Sequence, residues 1–417
     1  MKPKQLATVK ATDQRFSSLC RADALRYGNG LLEEAAKYLP EDDHLRWWII
    51  IKTLNANTGM LDADAGLELA DRAQSLAEEE TRHLINHVPD AWVIQLLYLT
   101  AMLFARYKQP RDLTKGEEYL NRGLAVIEHA NIPEGERHFQ RVFNRNGLAM
   151  IRSFQGRHQE ALDLCWQGIE ELNEYLGADQ HRLHRSILNY NIAQVYVATG
   201  RYQDALQYFS TAMQMDPNYS EYYNERGNIY LRLGHLDEAL ADYLRAIELS
   251  PPYFEVFTNL GQCYRRMGRM AEAVEAYSWA LDLEPGHVLA LLGRANAYEA
   301  QGEAENALAD YSSALDRDDN LWEAFANRGI LHYERGDYEA SLRDFNQSIM
   351  LRQEEPSLFL NRSIVLTDLR RLDEAIEDLK FALSLDPPPE LEADLKIRLA
   401  ALDQSRDCEQ TSKAAGR

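Results

Sequence analysis

The chain has 417 residues, of which 45% are apolar, and this is enough apolar material for a large folded core. Its net charge is −21, so it lacks the basic excess that binding to nucleic-acid phosphates requires. The longest strongly apolar run, Trp47 to Ile51, is too short to cross a bilayer, and Met1 to Gln14 is polar and unlike a signal peptide. We therefore expect a cytoplasmic protein that binds neither nucleic acid nor membranes.

The chain up to Arg185 contains helical patterns without a strict period. Residues 1–21 are predicted to form a partly flexible N-terminal segment. Residues 22–185 are predicted to form divergent helical pairs, because Gly156 and Ala161 match a turn glycine and a helix alanine that recur regularly further along the chain. The N-terminal part thus continues the same kind of repeat in a less regular form.

A strict period of 34 residues, the distance from Gly200 to Gly234, begins at Ser186. A glycine has this spacing at Gly200, Gly234, Gly268, Gly302 and Gly336. A small residue has it at Ala205, Ala239, Ala273, Ala307, Ser341 and Ala375, and an aromatic residue at Phe209, Tyr243, Tyr277, Tyr311 and Phe345. Small and aromatic residues at fixed phases of a period of this length indicate a solenoid of helix–turn–helix repeats.

One repeat, from Ser220 to Tyr253, shows how these phases specify the fold. Gly227 on the first predicted helix and Ala239 on the second allow the two helices to approach closely. Gly234 lies between them, where a residue in the left-handed conformation ends the first helix without a steric penalty. Pro251 follows the second helix and ends it. Each repeat is therefore predicted to be an antiparallel helix pair.

These residues resemble the tetratricopeptide repeat (TPR) family. The resemblance covers residues 186–389 in six repeats, which begin at Ser186, Ser220, Phe254, Val288, Trp322 and Pro356. The last repeat departs from the pattern, with Ser363 and Arg370 at glycine positions and Leu379 at the aromatic position. The resemblance implies an all-α fold: an α-solenoid of stacked antiparallel helix pairs in a right-handed superhelix, with divergent helical repeats at the N-terminal end.

Beyond the repeats, the sequence changes character after Pro389. Residues 390–404 are predicted to form a C-terminal capping helix, because Leu391, Leu395 and Leu399 recur on one side. The remaining residues, 405–417, are small and polar and lack an apolar period, so we expect a disordered tail.

In TPR proteins the first helices line a concave groove, and the resemblance makes this groove the predicted binding site. The sixth positions of the repeats are Asn191, Glu225, Asn259, Gly293, Asn327 and Asn361, and the ninth positions are Gln194, Asn228, Gln262, Asn296, Ile330 and Ile364. Side-chain amides donate and accept hydrogen bonds, so they suit the backbone of an extended peptide. The sixth-position series is similar to the asparagine ladder of protein O-GlcNAc transferases, although Glu225 and Gly293 interrupt it. An alternative is that these asparagines serve the local structure of the repeat.

Charged residues complete the predicted site. Arg232, Arg265 and Arg266 form a small basic cluster that we expect to help fix the register of a bound peptide. The lysines and arginines with which some TPR domains bind acidic chaperone tails are missing, so that mode of binding is not expected.

The second helices carry acids that are predicted to face outward, namely Asp237, Glu238, Asp242, Glu272, Glu275, Asp373, Glu374, Glu377 and Asp378. This surface is expected either to be solvated or to attract a partner of basic character.

The sequence contains none of the common catalytic motifs. The four cysteines, at Cys20, Cys165, Cys263 and Cys408, lack metal or redox spacing. Two histidine pairs, His83 with His87 and His181 with His184, lack a third metal ligand nearby. We therefore predict no enzyme activity, cofactor or metal.

The predicted function is that of a protein–protein interaction scaffold or adaptor that binds an extended peptide segment of a partner protein in the groove. The alternative is a peptide-responsive regulator whose superhelix changes on binding.

Overall fold

The computed structural model describes residues 90–107, 110–250 and 253–415. Within these ranges the chain consists of helices joined by short turns and contains no strand. The predicted all-α solenoid of helix pairs is thereby confirmed. The N-terminal segment, the beginning of the divergent repeats and the pair of His83 and His87 lie outside the described residues.

The chain divides into two compact units, residues 1–252 and residues 253–417. In the first unit the described helices are α1 (Asp90–Met102, continued by a π-helical segment, Leu103–Tyr107), α2 (Leu113–His129), α3 (Glu134–Phe154), α4 (His158–Tyr175), α5 (Arg182–Ala198), α6 (Tyr202–Met215), α7 (Ser220–Leu233) and α8 (Leu236–Leu249). In the second unit they are α9 (Phe254–Arg266), α10 (Met270–Leu283), α11 (Val288–Ala300), α12 (Ala304–Leu315), α13 (Trp322–Glu334), α14 (Tyr338–Leu351), α15 (Pro356–Asp368), α16 (Leu372–Ser384) and α17 (Pro389–Ala415).

In both units the helices pack as consecutive pairs. Helices α1 and α2, α3 and α4, α5 and α6, and α7 and α8 are the closest partners in the first unit, and α9 and α10 through α15 and α16 repeat the pattern in the second. Helix α4 also packs on α5, so the loss of sequence regularity before position 186 does not interrupt the stack. The division between the two units falls at position 252, inside the regular repeats.

The turn between paired helices explains the periodic glycine. Gly234 has φ +83°, a left-handed conformation that costs an L-residue steric strain, and an added Cβ would meet open space there. The backbone N–H of Gly234 donates to Leu231, and that of His235 donates to Tyr230, which satisfies carbonyls at the helix end. Arg370 adopts the same conformation in the last repeat, with φ +60°. The backbone geometry is thus kept even where the glycine is missing.

The periodic small and aromatic residues form the core, as predicted. Ala239 and Tyr243 of the Ser220 repeat are both 0% exposed, and the equivalent residues of the other repeats are buried as well. Cys165 and Cys263 are also buried, and burial raises the pKa of the Cys165 thiol to about 12. Each helix pair is therefore held by close backbone approach at a small residue and by a ring that fills the adjoining space.

Helix α17 packs its apolar side against the last repeat. Leu395 is fully buried, and Leu391, Leu399 and Leu402 pack in the same cluster. The helix continues to Ala415, past the predicted end at Gln404 and through most of the segment expected to be a disordered tail. Residues 405–415 contain neither glycine nor proline, so no residue in this stretch ends the helix.

Candidate functional site

The predicted site residues lie on the first helices of the repeats, at their sixth, ninth, twelfth and thirteenth positions. We call the surface formed by these positions the first-helix face. Three of the residues are solvent-exposed, namely Arg232, Gln262 and Arg266. The others are half-buried, namely Asn191, Gln194, Asn228, Asn259, Arg265, Asn296, Asn327 and Asn361. Asn191, Gln194, Asn228 and Arg232 belong to the first unit, and the remaining residues belong to the second.

The ninth-position asparagines accept hydrogen bonds from the buried tyrosines of the second helices. Tyr243 donates to Asn228 Oδ1 at 2.9 Å. Tyr311 has two acceptors for its single proton, Asn296 Oδ1 at 2.5 Å and Glu299 Oε2 at 2.8 Å. A buried phenol needs such a partner, so these amides have a structural role in addition to any ligand they bind.

This pairing has a sequence signal that the motif analysis missed. Tyr243, Tyr277 and Tyr311 each follow a ninth-position amide at the same spacing, whereas Phe345 and Leu379 follow Ile330 and Ile364 at that spacing. The ninth position is thus an amide where the core residue of the second helix is a tyrosine. It is an isoleucine where that core residue is apolar. Phe209, which follows Gln194, is the exception.

Sixth-position residues form hydrogen bonds with neighbouring repeats. Asn191 Nδ2 donates to Asn146 Oδ1 at 2.6 Å. Asn327 Nδ2 donates to Asn296 Oδ1 at 3.3 Å and to the Tyr311 hydroxyl at 3.2 Å. The predicted ladder is therefore a set of linked polar side chains, and the local role left open by the sequence applies to Asn191 and Asn327.

A tyrosine hydroxyl occupies the gap in the ladder at Gly293. A Cβ built on Gly293 would lie 2.3 Å from Cζ and 2.7 Å from the hydroxyl oxygen of Tyr277. The same ring lies against Gly261, where a Cβ would be 2.8 Å from Cδ1. Tyr277 thus fills the space that a sixth-position side chain would use, and its hydroxyl takes the place of the missing amide.

The other interruption of the ladder is a carboxyl group. Glu225 is half-buried and accepts a hydrogen bond from Gln194 Nε2 at 3.3 Å. Burial raises the pKa of the Glu225 carboxyl, and the hydrogen bond from Gln194 and the charge of Arg232 only partly oppose this. The first unit therefore carries a partly desolvated acid at this point of the first-helix face.

Two acids of the second helices, Asp242 and Asp378, are buried, so the prediction that they face outward is wrong. Asp242 and Asp378 are only 5% and 6% exposed. Arg226 binds both carboxylate oxygens of Asp242 at 2.7 Å, and Arg362 binds those of Asp378 at 2.8 and 2.6 Å. These acids belong to internal ion pairs and not to a solvated surface.

The same ion pair recurs in four repeats. Its members keep one fixed sequence spacing, in the pairs Arg226–Asp242, Arg294–Asp310, Arg328–Asp344 and Arg362–Asp378. The Phe254 repeat has Leu260 and Ala276 at these positions, so the pair is replaced as a whole by apolar residues. That joint replacement is the signal from which the burial of these acids could have been predicted. By contrast, Asp237, Glu238, Asp373, Glu374 and Glu377 are exposed, as expected.

The histidine pair of the first unit belongs to an aromatic cluster. His181 stacks on Phe139 with ring centroids 3.9 Å apart, and His184 meets the edge of the same ring at 4.6 Å. Burial, together with the charge of His181, lowers the pKa of His184 to about 4. Among the described residues, no group of three His, Cys, Asp or Glu side chains is arranged to hold a metal ion. None of the helices in these ranges combines the length and apolar character that crossing a membrane requires.

Several solved structures are similar to this chain. They include a tetratricopeptide repeat protein from Parabacteroides merdae (17% identity, 63% of this chain and 98% of that chain covered, TM-score 0.45). They also include PilW, a type IV pilus biogenesis factor (20% identity, 50% and 98% covered, TM-score 0.46). A third is the Cut9–Hcn1 hetero-tetramer of the APC/C (16% identity, 93% and 83% covered, TM-score 0.44). A comparison with curated protein sequences gave no match.

Family models described as tetratricopeptide repeat match the chain in its central part. One matches residues 190–254 and 258–321, and a second matches residues 139–218. The second match begins in α3, within the region predicted to contain divergent repeats. The strict repeat period, the packed helix pairs and these matches agree, and residues 139–254 and 258–321 consist of tetratricopeptide repeats.

Proposed function

We propose that this protein is an interaction scaffold or adaptor that binds an extended segment of a partner protein along the first-helix face. Its TPR repeats support a role in protein–protein interaction. The choice of the first-helix face rests on one observation, the half-buried Asn296 and Asn327, which are linked to each other and to the hydroxyl of the buried Tyr311.

These side chains keep hydrogen-bonding capacity toward a ligand. An asparagine side chain has two N–H donors and a carbonyl oxygen with two lone pairs. Asn296 uses its oxygen toward Tyr311 and Asn327, and Asn327 uses its amide nitrogen. In these contacts the amide nitrogen of Asn296 and the oxygen of Asn327 are not used. A donor and an acceptor on neighbouring repeats match the alternating C=O and N–H groups of an extended chain.

The first step of the test is affinity capture with the full chain, followed by titration of the captured protein. Replacement of the sixth-position asparagines by alanine, in the variant N191A/N259A/N327A/N361A, should weaken binding by about 30-fold or more. Four hydrogen bonds of about 0.5–1.5 kcal/mol each sum to at least about 2 kcal/mol, and 1.4 kcal/mol is tenfold in affinity. Helix content should change little, because alanine is a good helix former.

The matched control removes four exposed acids of the second helices, in the variant D237A/E238A/D373A/E374A. Its affinity should remain close to that of the unmodified chain. The exposed acids are the basis for expecting a basic partner, so a loss of binding in this variant alone would place the binding site on the acidic surface. That result would contradict binding at the first-helix face.

A further inference from the structure

Arg265 differs from the other buried or half-buried arginines of the second unit because it has no acidic partner. Arg294, Arg328 and Arg362 each bind an aspartate through two hydrogen bonds. Arg265, at the twelfth position of its repeat, forms no ion pair among the described residues, and its Nε atom is buried without a hydrogen-bond partner there. A buried N–H group without an acceptor is costly, and such groups in native proteins call for an explanation.

Arg265 acts on the hydroxyl groups of two tyrosines, Tyr277 and Tyr311. Burial raises the pKa of the Tyr277 hydroxyl, and the charge and hydrogen-bonding of Arg265 oppose that rise. Burial and Glu299 raise the pKa of Tyr311, and Arg265 is among the groups that oppose this shift as well. The guanidinium therefore lies close enough to both phenols to influence their ionisation, and neither phenol neutralises its charge.

The Tyr277 ring covers Gly293 at this point of the face. The residue has no side chain, and the Tyr277 ring lies over it with the hydroxyl 2.7 Å from the position of a Cβ. The exposed Gln262 is one helical turn before Arg265 on α9. The half-buried Arg265 and the exposed Gln262 thus lie on the first-helix face, beside a tyrosine that is only 2% exposed.

We propose that Arg265 and the Tyr277 hydroxyl form a carboxylate-binding notch, which receives an aspartate or glutamate side chain of the bound partner segment. This inference rests on the proposed function. A guanidinium presents a planar fork of N–H groups that fits a carboxylate, and the hydrogen bonds are strengthened by the charges on both partners. Glu299 accepts from Tyr311 at 2.8 Å nearby, and its negative charge disfavours a phosphate group, which carries up to two charges.

The probe for this notch is a random dodecapeptide library displayed on phage and selected on the full-length protein. Peptides recovered on the unmodified chain should carry Asp or Glu at one fixed position several-fold more often than the starting library. The enrichment should disappear on Arg265→Met, which retains length without charge. It should persist on Arg269→Met, which changes an exposed arginine of the same repeat that pairs with Glu272 outside the first-helix face and serves as the matched control. Circular dichroism and thermal melting of both variants establish that they are folded.

A selected peptide, synthesised with an amidated C-terminus, gives the quantitative test. Its Glu→Gln form should bind the unmodified chain about tenfold or more weakly, as expected for a charge-assisted hydrogen bond. The same change should have almost no effect on binding to Arg265→Met, and Tyr277→Phe should give an intermediate loss. A Glu→Gln penalty of equal size on Arg265→Met and on the unmodified chain would overturn the assignment.

Other outcomes separate this inference from the proposed function. Peptides that bind the first-helix face without any acidic position would contradict the notch and leave the proposed function standing. A failure to select any peptide on the unmodified chain would count against both. Tighter binding when phosphoserine replaces the glutamate, or a requirement for a free C-terminal carboxylate, would overturn the assignment to a carboxylate side chain.

Discussion

Two adjacent repeats, residues 288–321 and residues 322–355, are alike on one side and different on the other. In both, the arginine at the seventh position binds an aspartate at 2.7–2.8 Å and donates to a serine of the preceding repeat at 3.0 Å. Asn296 of the first-helix face and the buried Tyr311 beneath it are replaced by Ile330 and Phe345 in the second repeat. The comparison separates residues that hold neighbouring repeats together from residues that vary between them.

The shared and variable parts differ in what they contribute. The ion pair links three helices through Ser312, Arg328 and Asp344, so it stabilises the stack. In the repeats from Ser220 onward the ninth-position amide and the tyrosine occur together, which shows that the core of a repeat accepts either a polar or an apolar pair. Where the polar pair is present, the first-helix face gains hydrogen-bonding groups, and recognition of a partner can differ from repeat to repeat.

The largest effect is expected from breaking the shared ion pair. Arg328→Leu leaves the buried Asp344 without its arginine and with only His332 Nε2 nearby, at 4.0 Å, and loss of one member of a buried pair costs about 3–5 kcal/mol. The double variant R328L/D344A copies Leu260 and Ala276 of the Phe254 repeat and should recover most of this loss. Urea unfolding followed by circular dichroism measures both. A single variant as stable as the unmodified chain would mean that the pair does not hold the stack.

The second comparison concerns two glycines at different positions of these repeats. Gly293→Ala places a Cβ within 2.3 Å of the Tyr277 ring, which Gly261 confines from the other side, so overpacking should cost about 1–3 kcal/mol. Gly329→Ala meets its nearest atoms at 3.3–3.4 Å and should be tolerated, since alanine favours the helix by up to about 1 kcal/mol over glycine. Thermal melts decide the question. Equal melting temperatures for the two variants would argue against the position of the Tyr277 ring.

A smaller effect is expected from exchanging the amide–tyrosine pair of one repeat for the isoleucine–phenylalanine pair of the next. Tyr311→Phe removes the hydroxyl that serves Asn296 and Asn327 and should cost about 1–2 kcal/mol. Adding Asn296→Ile copies the next repeat and should restore part of the loss. In the opposite direction, Phe345→Tyr should be destabilising unless Ile330→Asn accompanies it. Additive effects of the paired changes in a double-mutant cycle would contradict the coupling.

The smallest effect concerns Glu225 and depends on pH. Because burial raises its folded-state pKa above the ordinary value of 4.5, ionisation of this carboxyl disfavours folding at pH values above the raised pKa. Glu225→Gln should therefore stabilise the protein slightly at neutral pH. The gain should shrink as the pH falls through the folded pKa and vanish below the ordinary value, where both states bind the proton. Unfolding midpoints across this pH range test the prediction, and a constant difference would refute it.

Much of the fold could be predicted from the sequence because its determinants are local. The spacing of Gly234, Ala239 and Tyr243 specifies a turn, a close helix contact and a ring within one repeat, and all three have the predicted structural roles. The same reasoning placed the end of α17 too early. The polar composition of residues 405–417 predicts disorder, whereas the helix continues to Ala415 because no residue before that point ends it.

The sequence by itself determined the period, the helix pairs, the type of repeat and the small and aromatic core. Only the tertiary structure decided which polar residues are satisfied and which are presented to a ligand. Asp242 faces Arg226 and not solvent, and Tyr277 crosses from its own helix to cover Gly293 in the next repeat. Such partners lie on different helices, so their identity depends on how packed helices bring the side chains together. Helical periodicity determines on which side of its helix a residue lies. Packing against the neighbouring helix determines which side chains contact that residue.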